Sequence, residues 1–208
     1  MVHQWFVELL RRFQLSFSIY DEERCEAIEY GEPECNPFLD SQWVLAAVDF
    51  LAGNDQRAAQ AREAGWDVLV VDEAHHLEWS PAAAGPAYEM VRALAETTES
   101  LLLLTATPQQ LGPEGHFARL QLLDPDRYAD LQQYREETLH YEEVADVVES
   151  LAAGAGVDER LQALVSGHHR LESRVADMIA EKPGARERLI ADLLDGFGVG
   201  RIGVENYE

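Results

Sequence analysis

Positive charge is scarce in this 208-residue chain, and lysine is almost absent. Lys182 is the only lysine, beside fifteen arginines, and the 16 Lys+Arg face 39 Asp+Glu for a formal net charge of −23. Positive charge is what grips a phosphate backbone, so so acidic a chain is poorly suited to holding nucleic acid. It reads instead as a solvated acidic surface, of the kind that keeps proteins soluble at high salt, in preference to a patch for a basic partner. Cys25 and Cys35 are the only cysteines. Two are too few for a disulfide framework or a thiolate metal site, and a reduced pair is expected although the short span between them could be bridged. No apolar run approaches the ~20 residues of a membrane helix. The first residues are amphipathic with Arg11-Arg12 after the apolar part, which does not read as a secretory signal. Three catalytic signatures are missing as well. There is no G-x-x-x-x-G-K-[ST] loop, no HExxH and no G-x-S-x-G.

What is present is a globular composition, 47% hydrophobic, which rules out disorder of the whole chain. Neither a repeat nor a low-complexity tract occurs. Trp5, Phe6, Leu9, Leu10 and Phe13 recur at helical spacing and predict a helix over residues 2–13. Leu15, Phe17 and Ile19 alternate as in a strand. Residues 21–40 are acidic, contain Gly31, Pro33 and Pro37, and read as a long loop. VLAAV (44–48) has the continuous apolar character of a buried parallel strand. A helix is expected from about Phe50 to Ala64, then a second buried strand over 67–72. Ser80-Pro81 reads as a helix start, with Ala87, Met90, Val91, Leu94 and Ala95 on one face. Leu101–Thr105 is a third buried strand. Strand and helix in alternation predict an α/β fold with a parallel sheet. After about residue 127 the pattern becomes helical, with amphipathic stretches around Val144–Leu151, Leu171–Ile179 and Leu189–Leu194.

The chemistry concentrates in VLVVDEAHH, residues 68–76. A buried strand ending in two carboxylates can present the first, Asp72, to Mg²⁺ through water. The second, Glu73, can then activate the water that attacks a terminal phosphate. Both belong at the carboxyl end of a parallel strand, where ligands bind in open α/β sheets. Thr105-Ala106-Thr107-Pro108 closes the next apolar strand. A zinc site from Asp72, Glu73, His75 and His76 is a poor rival, because adjacent histidines face apart on a strand or a helix. His168-His169 reads as a solvated pair at a helix start.

These motifs resemble the Walker B (DEAH) and TAT motifs of helicase-like ATPases. Longer phrases extend the resemblance: HQWFVELLRRF (3–13), FSIYDEER (17–24), NPF (36–38), WDVLVVDEAHHLEWS (66–80), LLLLTATPQQLG (101–112), HFARL (116–120) and LLDPDRY (122–128). Together they resemble the bacterial RNA polymerase-associated Swi/Snf-type ATPases, densely from residue 3 to about 148 and thinly beyond. Near the end, GRIGVEN (200–206) has Glu205 where the family pattern has arginine. The resemblance implies an ATP-driven motor on double-stranded DNA in the bacterial cytoplasm, associated with the nucleoid, that binds RNA polymerase and promotes its recycling. It implies that Asp72 holds Mg²⁺, that Glu73 activates water, and that His75, Thr105 and Thr107 couple nucleotide state to motion. It places DNA contacts at His3, Gln4 and Asp49. The expected architecture is a partial RecA-like parallel sheet flanked by helices over 1–127, then a helical extension over 128–208 leading towards a second lobe. With no phosphate-binding loop, the chain is expected to be a fragment that does not hydrolyse ATP by itself. The strand at Leu101–Leu104 would then be an open apolar edge, which invites self-association. The alternative is a non-catalytic interaction module derived from a helicase lobe.

Overall fold

The structure, a computed structural model, describes residues 1–32, 34–106 and 112–197. The chain divides into two compact units, Met1–Leu131 and the residues from Gln132 onward. The first is mixed α/β. Helix α1 (Val2–Phe13) leads to strand β1 (Ser18–Tyr20), helix α2 (Glu22–Gly31), a 3-10 turn at Pro37–Leu39, and strand β2 (Val44–Ala46). Helices α3 (Val48–Ala52) and α4 (Asp55–Glu63) precede β3 (Val68–Val71), a 3-10 turn at Ala74–His76, and the short strands β4 (Trp79–Ser80) and β5 (Ala83–Ala84). Helix α5 (Pro86–Ala95), strand β6 (Ser100–Leu103) and helix α6 (Gly112–Leu123) complete it. The second unit is helical: α7 (Leu131–Ala152, starting at the boundary), α8 (Glu159–Val165), α9 (His169–Ile179) and α10 (Ala185–Phe197).

The parallel pairing expected from strand–helix alternation is present. β1 pairs with β2, in register Ile19 to Leu45, and β3 pairs with β6, in register Val70 to Leu102. Both are parallel, and among the described residues they form separate two-stranded sheets. A small antiparallel hairpin, β4–β5, stands apart. One apolar cluster joins these pieces, with Tyr20, Cys25, Phe38, Leu51, Val71, Leu77, Tyr88, Val91, Leu94 and Leu122 at its centre.

Several sequence expectations need correction. Residues 22–31 form a helix where a loop was expected. Asp21 caps it by accepting from the Arg24 N–H at 2.9 Å, Glu22 and Glu23 suit its positive N-terminus, and Cys25 drops into the core. The helix expected over 50–64 breaks at Gly53-Asn54, because Asn54 caps a new helix by accepting from the Arg57 N–H. Ser80-Pro81 does not start a helix. Ser80 lies in β4, its hydroxyl bonding Ala83 in a tight hairpin, and the helix begins at Pro86. Helix α7 starts well before Val144, its outer turns supported by i,i+4 contacts such as Gln132–Glu136 and Gln133–Glu137.

Two of the three strands read as buried, β3 and β6, are covered on one face only. Leu69, Val71, Leu101 and Leu103 face the core, whereas Val68 is 58%, Val70 48% and Leu102 49% exposed. Such continuous apolar runs suit burial on both faces, and the described residues cover one.

A buried arginine organises the first unit. Arg57 donates to Glu22 at 2.6 Å and Glu29 at 2.5 Å, tying α4 to α2. The bonds from Arg57 hold both carboxyls below their ordinary range. In the second unit, Val147, Leu151, Leu161, Val165, Leu171, Val175, Leu189 and Leu193 form a separate core. Asp192 of α10 receives Arg170 at 2.5 Å and Arg174 at 2.6 Å from α9. His169 is fully exposed, in keeping with a solvated histidine. Cys25 and Cys35 are both free thiols.

Candidate carboxylate site at the end of the third strand

Strand β3 delivers Asp72 and Glu73 at its carboxyl end, as the run of four apolar residues before them dictates. Asp72 bends back on its neighbour. Its Oδ1 accepts from the Glu73 N–H at 2.9 Å, and its Oδ2 accepts from the Trp5 indole N–H at 2.7 Å. Glu73 adopts the left-handed conformation, φ 51° and ψ 42°, which non-glycine residues hold only when their surroundings impose it. Two contacts impose it here. The Ala74 N–H donates to the Leu104 carbonyl at 2.8 Å, beyond the end of β6. Arg119 of α6 seizes the turn itself.

Arg119 is buried and has no carboxylate within ion-pair distance among the described residues. Its guanidinium donates to main-chain carbonyls: Ala74 at 2.8 and 3.1 Å, Leu77 at 2.5 Å and His75 at 3.2 Å. A planar fork with five N–H donors suits such a cluster of acceptors, and a lysine could not copy it. Burial pushes Arg119 below its ordinary pKa. Beside it, Tyr88 donates to the Ala118 carbonyl at 2.9 Å, and burial raises its phenol to about 12, so it stays a neutral donor.

The left-handed turn folds the Glu73 side chain towards His75. Glu73 Oε2 lies 3.1 Å from His75 Nδ1, yet it is sealed from solvent without a hydrogen bond of good geometry. The same Nδ1 lies 3.3 Å from the Thr105 hydroxyl, which thereby joins the loop after β6 to the loop after β3. His75 therefore sits between Glu73 and Thr105, and its tautomer decides which of them it bonds. Thr107, the other hydroxyl expected to act with it, falls outside the described residues, as does Glu205.

His75 and His76 do not face apart. In the 3-10 turn their rings lie against each other, centroids 4.0 Å apart. Even so, among the described residues no three His, Cys, Asp or Glu side chains gather as a metal cage. The donor set fits a different cation. Each Asp72 oxygen has one hydrogen bond and a lone pair to spare. Hard oxygens, few in number, suit Mg²⁺, which is commonly held by one or two carboxylates with waters and substrate phosphates. His3 and Gln4 are exposed on the first turn of α1, and Asp49 is exposed on the first turn of α3. None of the three joins the cluster at Asp72.

Sequence reasoning missed two members of this site. Trp5 stands out in the sequence only as one apolar residue at helical spacing, but its indole is bonded to the site's first carboxylate. Arg119 sits inside the HFARL phrase with nothing in its spacing to announce a buried role. Its one advertisement was a cation in a helix whose neighbours, Phe117, Ala118 and Leu122, are core residues.

A parallel-stranded α/β unit with an Asp-Glu pair at one strand end, tied through histidine to the loop after the neighbouring strand, is the arrangement expected of a helicase-like ATPase. Residues 2–175 match the SNF2-related domain, and the chain belongs to that family. It is similar to RNA polymerase-associated protein RapA of Vibrio cholerae, at 47% identity over 96% of this chain and 21% of the relative. The RapA proteins of Photobacterium profundum, at 47%, and Vibrio parahaemolyticus, at 48%, match over the same shares. The chain thus spans about a fifth of the length of these relatives. No helix among the described residues is long and apolar enough to cross a membrane.

Proposed function

We propose that this chain is the carboxylate-bearing part of the ATPase lobe in an RNA polymerase-associated motor. That motor moves on double-stranded DNA in the bacterial cytoplasm and promotes polymerase recycling. Residues 1–127 form the lobe piece and residues 128–208 an extension from it. The observation that carries the reading is Glu73, turned into a left-handed conformation beside Asp72 with one carboxylate oxygen buried and unbonded. A strained residue with an unsatisfied base is a site awaiting its partner.

In this reading Asp72 would hold Mg²⁺. Mg²⁺, when bound, neutralises charge on the ATP phosphates. Glu73 takes the proton of the water that attacks the terminal phosphate. His75 and Thr105, together with Thr107, pass the state of Glu73 to the neighbouring strand. His3, Gln4 and Asp49 are available for contact with DNA. No G-x-x-x-x-G-K-[ST] loop lies within these 208 residues, so the chain alone turns over no ATP. Its exposed Val68–Val70–Leu102 face supports self-association of the isolated chain.

The test is a chimera in which this chain replaces the matched segment of the Vibrio cholerae relative. DNA-stimulated phosphate release is expected, with Glu73→Gln lowering it at least ~100-fold, the scale of a general base. A folded chimera that hydrolyses ATP equally well with Gln at position 73 refutes the assignment. A folded but inactive chimera whose grafted chain still binds polymerase favours the interaction-module reading instead.

A further inference from the structure

We infer that Trp5 is a positioning residue for Asp72, an inference that rests on the proposed role of Asp72 as cation holder. Two donors fix the Asp72 carboxylate. One is the main-chain N–H of Glu73 on Oδ1, which any residue but proline at position 73 would supply. The other is the Trp5 indole N–H on Oδ2 at 2.7 Å, which is specific to tryptophan and comes from the far end of the sequence. Together they fix the plane of the carboxylate and leave each oxygen with further acceptor capacity.

Donors behind a metal-ligating carboxylate orient it, and their loss typically weakens metal binding or activity 10- to 100-fold. Helix α1 lies against β1 and β2 with its apolar face only half-buried. The helix has no fully buried residue, and Val7, Leu10 and Phe13 are exposed. Its polar tie to the core of the unit is this indole. His3 and Gln4 occupy the same first turn and are exposed. A partner seated on them is therefore within one helical turn of the group that aims Asp72.

The indole N–H can be observed directly. In the ¹⁵N-labelled chain, the Trp66 indole is an internal reference, since it donates to the Ala61 carbonyl at 2.7 Å, away from Asp72. Asp72→Asn is expected to shift the Trp5 indole resonance while that of Trp66 stays in place. With Mn²⁺ as the probe, Trp5→Phe is expected to weaken binding about tenfold, read from water-proton relaxation. Mn²⁺ binding by Trp5→Phe as tight as by the unaltered chain overturns the inference and leaves the proposed function standing. Absence of Mn²⁺ binding by the unaltered chain removes Asp72 as cation holder, and both readings fall. Should Trp5→Phe not fold, a Trp5 resonance unmoved by Asp72→Asn overturns the inference by itself.

Discussion

Replacing Arg119 with methionine tests whether a buried cation holds the turn after Glu73 in shape. The side chain keeps its approximate volume and loses every donor. Leu77 O and His75 O then have no replacement for the guanidinium, while Ala74 O keeps the Leu77 N–H at 3.2 Å. Each buried carbonyl left unpaired costs about 1–3 kcal/mol. Against this stands relief from holding a dehydrated guanidinium, the cause of its lowered pKa. The two orphaned acceptors outweigh that relief, and a net loss of about 3 kcal/mol is expected. All four tryptophans, Trp5, Trp43, Trp66 and Trp79, lie in the first unit, so their fluorescence follows its unfolding alone. With a urea slope of about 1.5 kcal/mol/M, the midpoint drops by roughly 2 M at unchanged slope. Arg119→Lys should recover only part of this, because an ammonium cannot bridge three carbonyls as the fork does. A midpoint shift below roughly 0.5 M for Arg119→Met would refute the clamp.

Two further outcomes follow from the first unit. Glu22 and Glu29 have carboxyls held below the ordinary 4.5 by bonds from Arg57. Their contribution is complete above that value and is lost as pH falls through the lower, folded-state values. Fluorescence-detected unfolding should therefore show an acid limb that Glu29→Gln flattens, and a limb of unchanged slope would count against the network. Leu102→Lys places a charge on a side chain already 49% exposed, so the unit should still unfold cooperatively while sedimentation shows less self-association. Identical sedimentation of the two proteins would clear this face of that role.

The elements visible beforehand were those written by hydrophobic continuity. DVLVVD, LLLLT and VLAAV announced β3, β6 and β2, and their alternation with helices announced parallel pairing. The elements missed were those written by caps. Asp21 and Asn54 each create a helix start by accepting one main-chain N–H, and neither stands out in a stretch already crowded with acids and amides. The Asp72–Glu73 pair was readable because its chemistry is local, two adjacent carboxylates after a strand. Its supports were not, because they are distant. Trp5 stands 67 positions from Asp72, and Arg119 stands 42 to 45 positions from the carbonyls it holds.

The same distinction changes what the −23 charge means. Counting charges argued against a strong grip on nucleic acid, and the structure shows where many of the few cations are engaged. Arg57 and Arg119 are buried in the first unit. Arg12, Arg24 and Arg92 face Glu8, Asp40 and Glu89, while Arg170 and Arg174 close on Asp192 and Lys182 meets Asp177. Counterion release scales with the number of phosphates a protein neutralises, and a cation already facing a carboxylate neutralises little more. In the proposed motor, these residues hold and aim carboxylates, and the phosphate backbone of DNA must be held chiefly by other parts of the protein. The scarcity of positive charge is then compatible with the proposed DNA motor, because the side chains proposed to carry its reaction are Asp72 and Glu73, and of the cations named only Arg119 holds the turn beside them.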